Sequence, residues 1–91
     1  LKPQNAYLYY CRANLYAHQG NNEKAVADYT SAIKLDNRFA EAYFNRGLTY
    51  ITLDNRTQGV KDLSKAGELG LYSAYNIIKK NSASATKKQS K

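Results

Sequence analysis

The chain has 91 residues, with 14 Lys and Arg against 7 Asp and Glu, for a net charge of +7 and a pI near 9.6. That length accommodates one small domain. A 43% hydrophobic content with nine Tyr and two Phe provides a core and excludes disorder throughout. One Cys and one His exclude an internal disulfide, a multi-Cys zinc site and a His cluster. No apolar run is long enough to span a membrane, and no charged stretch followed by an apolar one marks a signal peptide. The chain begins at Leu1 rather than Met, so its true N-terminus is taken to lie upstream; the compartment stays open, with the cytoplasm favoured.

In chain order, Ala6, Tyr9, Ala13 and Tyr16 recur at helical spacing and predict a first helix, ended by Gly20-Asn21-Asn22. Gly20 suits a left-handed stop. Ala25, Val26, Tyr29, Ala32 and Ile33 predict a second helix running to about Leu35, ended by Asp36-Asn37. A third runs from Ala40 to about Leu53, with a turn at Asp54-Asn55. A fourth runs from Arg56 to about Leu69, closed by Gly70, and a shorter fifth from about Tyr72 to Lys80. Such short connections imply antiparallel neighbours. Residues 81–91 are small, polar and basic, and read as a disordered tail.

These helices are two copies of one unit. A shift of 34 residues superposes Tyr9 on Tyr43, Arg12 on Arg46, Tyr16 on Tyr50, Asn21 on Asn55, Val26 on Val60, Asp28 on Asp62, Ala32 on Ala66 and Leu35 on Leu69, without a gap. Ala6, Ala40 and Ala74 fall in three successive registers. The recurring Arg and Asp lie on partner helices of a unit, which predicts an ion pair between Arg12 and Asp28 and another between Arg46 and Asp62. Arg suits the task because its planar fork can bond a carboxylate bidentately.

A helix-turn-helix period of this length resembles the tetratricopeptide repeat. The family pattern runs W-x2-L-G-x2-Y, A-x3-F and P. Tyr9, Ala13 and Tyr16 with Ala25 and Tyr29 follow it in the first unit; Tyr43, Gly47 and Tyr50 with Gly59 and Leu63 follow it in the second. Arg12 and Arg46 stand in place of Leu, and Asn37 and Leu71 in place of Pro. Gly59 and Gly67 each weaken the fourth helix by about 1 kcal/mol relative to Ala. The resemblance implies an all-α, right-handed superhelical stack of antiparallel helix pairs. Residues 6–39 and 40–73 would be two units, residues 74–80 a capping helix, and residues 1–5 the end of a preceding unit or a linker, making the chain the C-terminal part of a longer array.

In this family the first helix of each unit lines a concave groove where partners bind. Carried over, that places Tyr7, Tyr10, Cys11, Asn14 and His18 in the groove from unit one. Glu41, Phe44, Asn45, Leu48 and Thr52 follow from unit two, and Tyr75, Ile78 and Lys79 from the last helix. Tyr10, Phe44 and Ile78, 34 residues apart, would form an apolar ladder down it. The alternative is that these rings simply cover the next unit. Some members clamp an acidic C-terminal carboxylate with Lys and Asn on these helices. Asn14, Asn45 and Lys79 stand at matching places, whereas Tyr10 and Tyr75 replace basic residues of the clamp.

Catalysis has little support. Cys11 and His18 share a helix face but stand roughly 10 Å apart along it, beyond hydrogen-bond reach. No G-x-x-x-x-G-K-[ST] or G-x-G-x-x-G run is present for phosphates, and no cofactor or metal is implied. The expected function is a protein–protein interaction module that binds a peptide or partner protein. The alternatives are a purely structural cap of a longer array, or polyanion binding through the tail. Self-association through the exposed N-terminal end is a further expectation. Residues 1–78 hold nine Lys and Arg against all seven acids, a net charge of +2. Most of the basicity therefore sits at the C-terminal end, which disfavours a nucleic-acid role for the folded part.

Overall fold

A computed structural model describes residues 4–80. The expectations for residues 1–3 and for the 81–91 tail lie outside the described residues. Four helices, α1 (Ala6–His18), α2 (Asn22–Leu35), α3 (Ala40–Thr52) and α4 (Arg56–Glu68), are followed by a helical stretch, α5, over residues 73–80. Among the described residues there is no strand, and no helix is long and apolar enough to cross a membrane. The result is an all-α stack of antiparallel helix pairs, with α1 packed on α2, α3 on α4, and α2 on α3.

The helix ends follow from local chemistry. Asn5 Oδ1 accepts from the Leu8 N–H at 3.1 Å, and Asn55 Oδ1 from the Gln58 N–H at 3.3 Å, satisfying amides that have no partner inside the helix. Gly20 (φ +79°) and Gly70 (φ +108°) close α1 and α4 in the left-handed region. Asp54 (φ +64°) does the same at the equivalent position in unit two. Past each of these residues the chain bonds back to the last turn: Asn21 N–H to the Tyr16 carbonyl at 2.8 Å, Asn55 to Tyr50 at 2.8 Å, and Leu71 to Ala66 at 2.9 Å. α2 starts three residues ahead of its first apolar position, at Asn22. Its first turn, Asn22-Glu23-Lys24, carries no apolar residue, and apolar periodicity cannot mark it.

The two helices of each unit meet at small residues. Ala13 and Ala25 are fully buried against Tyr29 in unit one. In unit two the crossing is made by Gly47 and Gly59. A Cβ on Gly59 would lie 2.8 Å from the Gly47 carbonyl oxygen and 2.6 Å from Ile51 Cγ1; one on Gly47 would lie 2.9 Å from the Gly59 carbonyl oxygen. Gly67 has a similar reason, because the Tyr75 ring of α5 lies over it, where a side chain would stand. The helix weakening expected of Gly59 and Gly67 is thus offset by close packing.

An Arg–Asp fork bridges each pair. Arg12 Nε and Nη2 donate to Asp28 at 2.6 and 3.0 Å. Arg46 Nε and Nη2 donate to Asp62 at 2.7 and 2.8 Å. Arg46 also donates from Nη1 to the Thr30 hydroxyl of the preceding unit at 3.1 Å. Its guanidinium carbon sits 5.8 Å from the Tyr43 ring centre and 5.7 Å from that of Tyr50. The bonds to Asp62 hold its pKa above the ordinary arginine value, against burial, which acts the other way. Both Asp side chains are 8% exposed, but Arg12 is 43% exposed and Arg46 only 17%.

The seam between units is apolar. Ala32, Ile33 and Ala42 are buried together, with Tyr9, Tyr10, Phe39 and Tyr43 packed around them. A third cluster, Leu63, Ala66 and Ala74, ties α4 to α5 and takes in Phe44 and Ile78.

Two outcomes follow. Gly59→Ala gains helix propensity of about 1 kcal/mol but drives a methyl into a backbone carbonyl, an overpacking cost of about 1–3 kcal/mol; the net effect is a lower thermal midpoint, measurable by circular dichroism. Arg46→Ala leaves Asp62 buried without its partner and destabilises by about 3 kcal/mol. Arg12→Ala has a smaller effect, because water reaches the space that Arg12 leaves. Equal denaturation midpoints for the two Arg variants would contradict this ranking.

Candidate functional site

An open cleft of about 600 Å3 lies between α1 and α3 and is floored by α2. From α1 come Asn14, Ala17 and His18; from the following turn, Gly20; from α2, Asn22 and Tyr29; from α3, Asn45, Leu48, Thr49 and Thr52. The opening arises because α1 and α3 each pack on α2 and touch each other only slightly.

A chain of polar bonds crosses the floor and joins the two units. Asn45 Nδ2 donates to the Tyr10 hydroxyl and to Asn14 Oδ1, both at 3.1 Å. The Tyr29 hydroxyl also donates to Asn14 Oδ1. Tyr29 is 2% exposed, and burial, with a smaller contribution from Tyr10, pushes its phenol up to about 12. It therefore stays protonated and keeps its role as a donor. Thr49 and Thr52 spend their hydroxyls on their own helix, on the carbonyls of Asn45 (2.7 Å) and Leu48 (3.1 Å).

Of the residues expected to line a groove, Asn14, His18, Asn45, Leu48 and Thr52 come together here. The others lie elsewhere. Tyr10 reaches the floor only through its hydroxyl, while its ring packs 4.8 Å from the Phe39 ring centre and 6.0 Å from that of Tyr29. Phe44 and Ile78 pack into the α4–α5 cluster. The expected apolar ladder of Tyr10, Phe44 and Ile78 is thus half-buried between elements rather than open along a face. Tyr7 is exposed, 6.1 Å from the Tyr10 ring, with its phenol pushed upward by the neighbouring Cys11 thiol. Cys11 is half-buried. Glu41 lies exposed in the first turn of α3. Tyr75 lies on Gly67, and Lys79 is exposed on α5.

Among the described residues no Lys, Arg, Asp or Glu lines the cleft, and His18 and Tyr29 are the titratable ones that do. Among the described residues, no group of three or more His, Cys, Asp or Glu is placed to hold a metal. Gly20, Asn22, Tyr29 and Thr49 belong to the cleft without having been expected there. Tyr29 carried a readable signal: a buried Tyr hydroxyl needs a partner, and the repeat has Leu63 at the same position.

Known proteins share this architecture and sequence. A family model described as TPR repeat matches residues 13–54, and one described as tetratricopeptide repeat matches residues 40–69. A DnaJ homolog subfamily C member 7 homolog of Dictyostelium discoideum is 32% identical over 69 residues, 76% of this chain and 13% of that protein. The human mitochondrial import receptor subunit TOM34 is 34% identical over 56 residues, 62% of this chain and 18% of that protein. The chain thus spans less than a fifth of these relatives. Among solved structures, the first TPR of Spaghetti (RPAP3) bound to the HSP90 peptide SRMEEVD superposes with a TM-score of 0.85 at 26% identity, covering 93% of this chain and 69% of that one. The 34-residue register, the paired helices and these two overlapping matches agree, and the chain belongs to the tetratricopeptide repeat family.

Proposed function

We propose that this chain is a protein-interaction module that holds an extended peptide segment of a partner in the cleft between α1 and α3. The observation that carries this reading is the polar floor itself. Asn14 and Asn45 come from different units, bond to each other, and remain half-buried at the base of an opening large enough for a few residues of chain. Side-chain amides in such a place suit the hydrogen-bonding groups of a peptide backbone. Leu48 and Ala17 add apolar surface beside them. The likeness to a repeat domain with a bound peptide supports the reading, since it extends over nearly the whole chain.

A structural cap without a ligand is the rival reading. It draws on the packing of Tyr10 and Phe44 between elements. The two readings part at Asn45, whose loss affects a binding cleft more than a cap. Titrating isotope-labelled protein with a panel of heptapeptides, SRMEEVD among them, should shift the side-chain amide resonances of Asn14 and Asn45. Asn45→Ala should weaken the best binder about tenfold, as expected for one or two lost hydrogen bonds, with the helical circular dichroism signal retained. Unmoved resonances across the panel would favour the cap.

A further inference from the structure

Resting on the reading of the cleft as a peptide site, we infer that its ligand is an uncharged, internal peptide segment, recognised through one peptide group, and not an acidic C-terminus. The hydrogen bonds already made in the floor decide what is left to offer. Asn14 Oδ1 accepts from both Tyr29 and Asn45. Its lone pairs are committed, and its NH2 is the end without a partner among the described residues. Asn45 Nδ2 donates to both Tyr10 and Asn14. Its two hydrogens are committed, and its carbonyl oxygen is the end left over. The floor therefore presents one donor and one acceptor side by side. Turning both amides over exchanges their roles, because the Tyr10 and Tyr29 hydroxyls can donate or accept, and still leaves one donor and one acceptor.

A peptide group has that same pair, an N–H and a C=O. A carboxylate accepts only. It could use the donor but would face the lone pairs of the second amide. It would also lose hydration on entry without a cation to replace it, since no Lys or Arg among the described residues lines the cleft. Lys79 on α5 is not among the lining residues.

The test uses the full chain and two probes: the free-acid heptapeptide SRMEEVD, and a counterpart with both ends blocked and its Arg, Glu and Asp replaced by Gln, Gln and Asn. The blocked peptide is expected to bind about tenfold more tightly and to lose little affinity at high salt. Asn14→Leu, which keeps the volume and removes the free donor, should weaken it about tenfold without loss of helix content. Tighter binding of the free acid, or an unchanged affinity in Asn14→Leu, would overturn the ligand class and leave the peptide cleft standing. If neither peptide shifts the Asn14 and Asn45 amide resonances at millimolar concentration, the peptide cleft itself falls, and this inference with it.

Discussion

The close crossing of paired helices governs everything else in this fold. Ala13 and Ala25 in one unit, and Gly47 and Gly59 in the other, bring two backbones together where larger side chains would hold them apart. The crossing sets the distance between a first-helix Arg and a second-helix Asp, so that each guanidinium fork closes on a carboxylate. It also buries Tyr29 beside Ala13 and Ala25, with its hydroxyl meeting Asn14 in the floor. A wider crossing would loosen the ion pair and withdraw the hydroxyl from the cleft.

The two units share one plan but occupy different surroundings. Arg46 has α2 against it and bonds to Thr30 there, whereas Arg12, among the described residues, hydrogen-bonds to Asp28 alone and is more exposed. Thr49 is 6% exposed against the neighbouring unit, while its counterpart on α1, Leu15, is 61% exposed. What distinguishes these positions is the presence of a helix alongside, not the residue's own preference. For the same reason Asn45 can reach back to α1, and a polar bond between units becomes available only on the second first-helix.

The helices were legible because helical packing repeats. Ala32, Ala66, Tyr9, Tyr43 and Tyr16, which belong to recurring pairs, lie in or beside a core cluster, and the left-handed stops at Gly20 and Gly70 follow from residue type alone. The Arg–Asp forks were legible for the same reason, since two charged residues preserved in both copies imply a contact preserved in both. The cleft was harder to read because it is made where the repeat is broken. Asn14 faces Leu48 in register, Tyr29 faces Leu63, and Asn45 faces Cys11. Those differences bring an amide from each unit and the hydroxyl of Tyr29 together in one floor, beside Leu48. A pattern built from matches passes over them. Tyr10 and Phe44 misled in the opposite direction: large, regularly spaced rings suggested an open ladder, but rings of that size also fill seams between helices, and the buried area there is the stronger attraction.

Tyr10 and Tyr75 are the positions at which the resemblance implies basic side chains for a peptide clamp, and in the structure each ring makes contacts of its own. Tyr10 packs against Phe39 and supplies the hydroxyl that accepts from Asn45. Tyr75 covers Gly67 and holds α5 on α4, over a glycine that leaves room for it. A Lys at Tyr10 would keep neither the ring contact nor the acceptor, so the Asn45 amide would lose one of its two partners. A Lys at Tyr75 would uncover Gly67. The two rings are therefore bound to the packing: Tyr10 joins the units and Tyr75 seats the last helix, and a Lys at either place would cost part of the scaffold that positions the amides.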